Sequence, residues 1–377
     1  MEVHRILSLD SGGVWAMLQV MALQKLFGLH ARGHDVLRRF NLAAASGGGS
    51  IVLAGLAMNM TLQEILDEFF INKANREKIF GKQETGFFKK AARILRHEAL
   101  KDVLGKEHHA KKLGELARLV TEFLICAYDC DRRRPEFFRS ANNSRSASST
   151  GSWDPPLVDV IHASATSQLN NAHALAIISK TRFCDGAAGG LYNPVVAAVT
   201  EALANNTDAS KIQVLSIGTG TLDRPPLDTA EAEKKSDQQA IERDMANAIF
   251  NDPADSATYV AHVMLKQALP GTGTKPPIAN GSVVRVSPAI RLDGKSAPQG
   301  GIDPAVFKSL AAMEKSAVAQ RSVDAVRKLG EAWLDDKVGN QPIRSNRNFE
   351  CEIGHDKASG AIAQWNALAG EVTTRAA

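Results

Sequence analysis

The chain has 377 residues, 44% of them hydrophobic, and its 45 lysines and arginines against 41 aspartates and glutamates leave a formal net charge of +4. That apolar content suffices for a sizeable core, so disorder of the whole chain is excluded, and the charge excess is too small to make nucleic acid the expected partner. Cys126, Cys130, Cys184 and Cys351 have neither a zinc-ligand nor a disulfide-framework spacing, so no metal or other cofactor is expected and the chain reads as cytoplasmic.

The start, MEVHRILSLD, lacks a basic region ahead of a long apolar segment, and no run reaches the roughly 18 apolar residues of a bilayer span, so membrane contact is expected to be peripheral. Residues 3–9 predict a strand that breaks at Asp10-Ser11-Gly12-Gly13, and apolar spacing then predicts a helix over residues 14–27. The exposed amides of such a turn suit a phosphate or an oxyanion; the missing third glycine argues against a dinucleotide loop. The stretch FNLAAASGGGSIVLAGLAM, residues 40–58, repeats the theme as strand, sharp turn and buried small-residue helix. A serine on such a turn is pushed out of the sheet edge, whereas the bland alternative is that the glycines only let a helix pack closely on a sheet.

An amphipathic helix is expected over residues 62–70. Residues 73–96 then interleave Lys73, Arg76, Lys78, Lys82, Lys89, Lys90, Arg93 and Arg96 with Phe80, Phe87 and Phe88. This pattern suits either a surface resting on anionic lipid or a solvated basic helix with its aromatics in the core. His97, His108 and His109 lack metal-site spacing and are expected at the surface. Strands are expected at 123–128 and 135–138, a polar loop and candidate lid over 139–156, and a small-residue helix over 158–167. Asp185-Gly186-Ala187 follows a short apolar strand, and a helix is expected over 195–204. A third strand, 214–217, ends in Gly218-Thr219-Gly220. Three strand ends with glycine turns point to an open α/β sheet working at the carboxyl ends of its strands. The remainder is mainly helical in pattern around a late strand at 283–286, and no internal repeat or strong linker is visible.

Together these pieces resemble the patatin-like phospholipase family of acyl hydrolases, bacterial type. The resemblance rests on Leu9-Asp10-Ser11-Gly12-Gly13-Val14, on Ala44-Ala45-Ser46-Gly47-Gly48 and on Asp185-Gly186-Ala187. Supporting echoes are Tyr128-Asp129 with Pro135-Glu136-Phe137-Phe138, Ala163-Ser164-Ala165, and Leu215-Ser216-Ile217-Gly218-Thr219-Gly220. It implies a three-layer α/β/α fold with a mostly parallel central sheet, a catalytic domain over residues 1–290 and a helical extension over 291–377 packed on it. It further implies a Ser46–Asp185 dyad, an oxyanion hole from Gly12, Gly13 and Ser11, an acyl-lipid substrate and action from the cytoplasm at the membrane surface. A membrane-degrading effector role under a cyclic nucleotide activator is compatible with it.

Three departures stand against the family pattern. Ser11 replaces a glycine of the usual Asp-Gly-Gly-Gly, with Trp15 where a basic residue is common; Ala44 replaces a glycine; and counting from Phe40 puts the family's nucleophile at Gly47, one residue past Ser46. A one-residue slip reverses a side chain's face, so the alternative is a catalytically inactive relative that binds lipid or a regulatory ligand. A Ser46-Asp185-His triad using His262 or His355 is the enzymatic rival.

Overall fold

The computed structural model describes residues 3–80, 89–105, 110–117, 120–140, 155–166, 175–223, 253–265, 282–292, 301–313, 315, 317–341, 343–344 and 352–370. Strands β1 (His4–Leu9), β2 (Leu42–Ser46), β3 (Glu122–Asp129), β4 (Arg134–Arg139), β5 (Ala176–Ile178), β6 (Thr181–Asp185), β7 (Ile212–Ile217), β8 (Thr221–Asp223) and β9 (Val283–Val286) come first in the chain. The main sheet runs β5-β6-β3-β2-β1-β7-β9, with β4 also paired to β3. From β3 through β2, β1 and β7 to β9 every pairing is parallel. β4 and β6 run antiparallel to β3.

Near-continuous apolar runs such as Leu42–Ser46 form these strands because both faces of the parallel core are covered. Alternation assigns the faces. Leu7, Leu9, Ala43, Ala45, Phe123, Ile125, Phe183, Leu215 and Ile217 belong to the larger core, with the helices Met17–Phe27, Gly48–Ala57 and Leu157–Ala165. Ile6, Leu42, Ala44, Leu124, Ile212 and Val214 belong to the smaller core, under the helices Val195–Ala204 and Pro253–Met264. The chain therefore adopts the three-layer α/β/α arrangement expected from its sequence, with helices on both faces of a mostly parallel sheet.

Residues beyond the sheet join the same cores. Trp333 and Trp365 are buried in the larger one, and Trp365 stacks on Phe40 with ring centroids 5.6 Å apart. A small second sheet pairs β10 (Pro288–Arg291) with β8 and with β11 (Gly339–Asn340), so chain on both sides of residue 290 is stitched together. Among the described residues no helix is long and apolar enough to cross a membrane.

The basic and aromatic segment divides in two. Arg76 is fully buried rather than presented to lipid: its guanidinium donates to the carbonyls of Phe70, Ile71 and Val318 at 2.7–3.0 Å and to Gln320 Oε1 at 2.9 Å. Phe80 packs on Phe70 at 5.6 Å. An arginine with this many carbonyl partners is a structural strut, because a buried guanidinium must satisfy its donors within the protein. Lys82, Phe87 and Phe88, and the side chains of Lys89, Lys90, Arg93 and Arg96, lie outside the described residues, as do His108, His109, Cys351 and most of the loop at 139–156. His97 is half-buried rather than a free surface residue, with Nε2 2.6 Å from Asp159 Oδ1.

Candidate active site

The site forms where the ends of β1, β2 and β6 converge. β3 holds β4 along one edge, leaving the other edge to β2 as far as Cys126 and then to β6 from Ala127 onward. Ser46 pairs with Cys126 and Asp185 with Ala127, so the end of β2 meets the end of β6 head-on. This register explains how residues so far apart in sequence share a site.

Asp185 is held on every side. Its N–H donates to Thr166 O at 2.8 Å, and its Oδ1 accepts the Ala187 N–H at 2.9 Å, capping the short turn Gly186–Gly189. Gly186 is required because a Cβ there would lie 2.8 Å from Ser46 Oγ and 3.0 Å from Cys126 O. Surrounding protein desolvates the carboxyl and pushes its pKa up to about 6, although the Ala187 amide and the Ser11 and Ser46 hydroxyls pull the other way. Such a group is ionised at neutral pH and still basic enough to take a proton, the property a general base needs.

Two hydroxyls approach it. Ser11 Oγ donates to Asp185 Oδ2 at 2.7 Å, whereas Ser46 Oγ stands 3.5 Å from Oδ1, at the outer limit of a hydrogen bond. The difference follows from the pleat. Ser46 continues the Leu42–Ala44 row toward the smaller core, while Asp185 continues the Phe183 row on the opposite face. The turn after β2 does not absorb the one-residue slip. It is Gly47 that takes the sharp bend, with φ 50° and ψ −122°, immediately ahead of the helix Gly48–Ala57. A Cβ on Gly47 would point at the carboxylate, 2.4 Å from Asp185 Oδ2, and 2.0 Å from Ser11 Oγ. The geometry thus sets Gly47 at the elbow and Ser46 beneath it, wholly buried, with the Ser46 hydroxyl only at the long end of hydrogen-bond distance from the carboxylate expected to partner it.

The amides sort in the same way. The Gly47 N–H is committed to Ser164 Oγ at 3.0 Å, and Ser164 in turn donates to Cys126 O at 2.7 Å. Ser11 offers no amide to an oxyanion either, since its N–H donates to Tyr192 O at 2.7 Å. The N–H groups of Gly12, Gly13 and Gly48 have no hydrogen-bond partner among the described residues. Gly13 O and N lie 2.5 and 2.7 Å from the position of a Gly48 Cβ, so the two glycine turns pack directly on each other at the positive end of a fully buried helix. Gly12 has φ 140°, and a Cβ there would lie 2.3 Å from Thr219 Oγ1, so no other residue fits.

The roles of several supporting residues are not visible in the sequence. Arg285 makes a bidentate pair with buried Asp10, at 3.0 and 2.6 Å, and also reaches Ser216 Oγ at 2.9 Å, tying the turn after β1 to β7 and β9. The available signal was a lone arginine within an apolar strand. Thr219 Oγ1 donates to Ser11 O at 2.7 Å, completing a clamp on the Ser11 backbone. Lys315 Nζ donates to Tyr192 OH and, at 3.0 Å, to Gly220 O. His262 and His355 do not complete a triad. His262 is buried in the helix Pro253–Met264 on the smaller-core side, and His355 stands beside Gly360 with its carbonyl bonded to Asn340. No cluster of metal-ligating side chains occurs among the described residues.

Comparison with known proteins places these features in context. The family described as patatin-like phospholipase matches residues 7–199, which span both glycine turns and Asp185. Among solved structures, VipD from Legionella pneumophila is similar at 11% identity and a TM-score of 0.39, over 99% of this chain and 75% of that one. A search among curated proteins finds no match.

Proposed function

Because the chain belongs to the patatin-like phospholipase family, whose members are lipid acyl hydrolases, we propose that it cleaves acyl esters of phospholipids or related lipids at a membrane surface with Asp185 as general base. The observation that carries this reading is a carboxylate with its pKa raised to about 6, accepting seryl hydroxyls beside unpaired glycine amides. In the reaction a serine oxygen attacks the ester carbonyl as its proton passes to Asp185. The Gly12, Gly13 and Gly48 amides receive the charge that develops on the carbonyl oxygen, each well-placed donor contributing roughly 3 to 4 kcal/mol. Asp185 then protonates the departing alcohol and activates water to release the acyl group.

The reading is tested by hydrolysis of a p-nitrophenyl acyl ester and of phosphatidylglycerol vesicles by purified protein. Turnover that falls to background in Asp185→Asn supports it; no turnover by the native chain, or turnover indifferent to that substitution, overturns it. A second reading is favoured by one observation, the bare Gly47 at the elbow: an inactive relative that keeps the pocket and binds lipid. That protein would retain vesicle binding with no hydrolysis and no reaction with a fluorophosphonate.

A further inference from the structure

We propose that the attacking hydroxyl of this chain is that of Ser11, donated from the turn after β1 into the space a side chain at Gly47 would occupy. The inference rests on the hydrolase reading and assigns the reacting atom within it.

Four observations converge on Ser11. First, the faces agree: Ser11 continues the Leu7–Leu9 row, Gly47 the Ala43–Ala45 row and Asp185 the Phe183 row, all toward the larger core, whereas Ser46 does not. Second, Ser11 Oγ lies 2.0 Å from where a Gly47 Cβ would be, far inside van der Waals contact, so it occupies the space that a side chain at that position would need. Third, it is the better partner of the base, at 2.7 Å against 3.5 Å for Ser46. Fourth, its backbone is fixed on both sides, by Tyr192 O on the N–H and Thr219 Oγ1 on the carbonyl, so the hydroxyl is held in place before any substrate arrives. Ser11 also keeps 2% of its surface, while Ser46 has none and lies under Gly186.

The chemistry balances without a further reagent. The Ser11 O–H proton moves to Asp185 Oδ2 as Oγ bonds to the ester carbonyl carbon, and the carbonyl π electrons pass to its oxygen. That oxygen faces the unpaired amides of Gly12, the residue after the nucleophile, and of Gly13. Collapse breaks the bond to the alcohol oxygen, which takes the proton from Asp185 and leaves an acyl ester on Ser11. Water then attacks this ester, giving its proton to Asp185, and the carboxylic acid departs as that proton returns to Ser11 Oγ.

The position of a covalent adduct decides the matter. The native protein is treated with an alkyl fluorophosphonate and the labelled peptide is mapped, with hydrolysis of a p-nitrophenyl acyl ester followed in parallel. The expected adduct is on Ser11, and Ser11→Gly, which restores the residue type usual in the family at that position, loses both adduct and turnover by at least a hundredfold. In the double variant Ser11→Gly, Gly47→Ser the adduct moves to residue 47 and turnover returns, which shows that Ser11→Gly still folds. An adduct on Ser46 in an active native protein overturns the assignment of Ser11 and leaves the hydrolase reading standing. A native protein with neither adduct nor turnover, beside an active double variant, overturns both.

Discussion

The turns after β1 and β2 are built alike and carry opposite side chains. Each ends a buried parallel strand, bends through a glycine with positive φ and feeds a helix of the larger core. In the family pattern the first turn is bare glycine and the second presents the serine; here the first presents Ser11 and the second is bare at Gly47. What the difference teaches is that the shared space beside Asp185 admits one side chain. A Gly47 Cβ and the Ser11 hydroxyl would stand 2.0 Å apart, so a residue on one turn demands glycine on the other. Ser46 lies outside this exchange because its row runs toward the smaller core and its hydroxyl reaches the other carboxylate oxygen, Oδ1, at 3.5 Å.

Removing the proposed base affects both turns at once and gives the largest expected effect. Asp185→Asn keeps the shape but cannot accept a proton, and ester turnover is expected to fall by about a thousandfold, within the range for a positioned general base. An equal rate in the two proteins would contradict the role.

The anchoring of the first turn is tested next. Arg285→Leu strands the Asp10 carboxylate in a buried site, which should lower unfolding stability by about 3–5 kcal/mol in urea titrations. A change under about 1 kcal/mol would mean that Asp10 finds other partners.

The exchange between turns predicts a coupling. Gly47→Ser alone forces a Cβ into Ser11 at a positive-φ position and should cost about 1–3 kcal/mol, while most of that loss should disappear when Ser11→Gly is added. A double-mutant cycle with a coupling below about 0.5 kcal/mol would show that the two sites do not compete.

The smallest effect is the pH response. With the Asp185 carboxyl raised to about 6, turnover should level off above that pH and fall about tenfold per unit below it as the base is protonated. The sign for stability is the reverse: a carboxyl raised by folding favours the native state at low pH, and that contribution is lost as pH rises through about 6. Asp185→Asn should remove both dependences.

Much of this frame was legible in the residues. The apolar runs ending in Asp10-Ser11-Gly12-Gly13, Ser46-Gly47-Gly48 and Gly218-Thr219-Gly220 located three parallel strands, and Asp185-Gly186-Ala187 located a carboxylate at a strand end, because glycine turns leave a mark in short spans. The short strands Ala176–Ile178 and Thr221–Asp223 went unseen, since three residues carry no usable period. Arg76 read as a surface cation because composition alone cannot report the carbonyls that gather around it from Phe70, Ile71 and Val318. The roles of Ser164 and Gly48 were hidden for a similar reason: which amide is consumed and which stays unpaired depends on partners brought in from distant segments.

The sequence by itself determined that this protein forms an α/β sheet with glycine turns at its working edge and a carboxylate at a strand end, because periodicity and turn chemistry act over a few residues. It also exposed the one-residue displacement between Ser46 and the family's serine. Only the tertiary structure decided which hydroxyl meets the carboxylate, since that depends on the pleat of β2, on the register joining β2 and β6 along β3, and on a turn from β1 occupying the room that a glycine at position 47 leaves open.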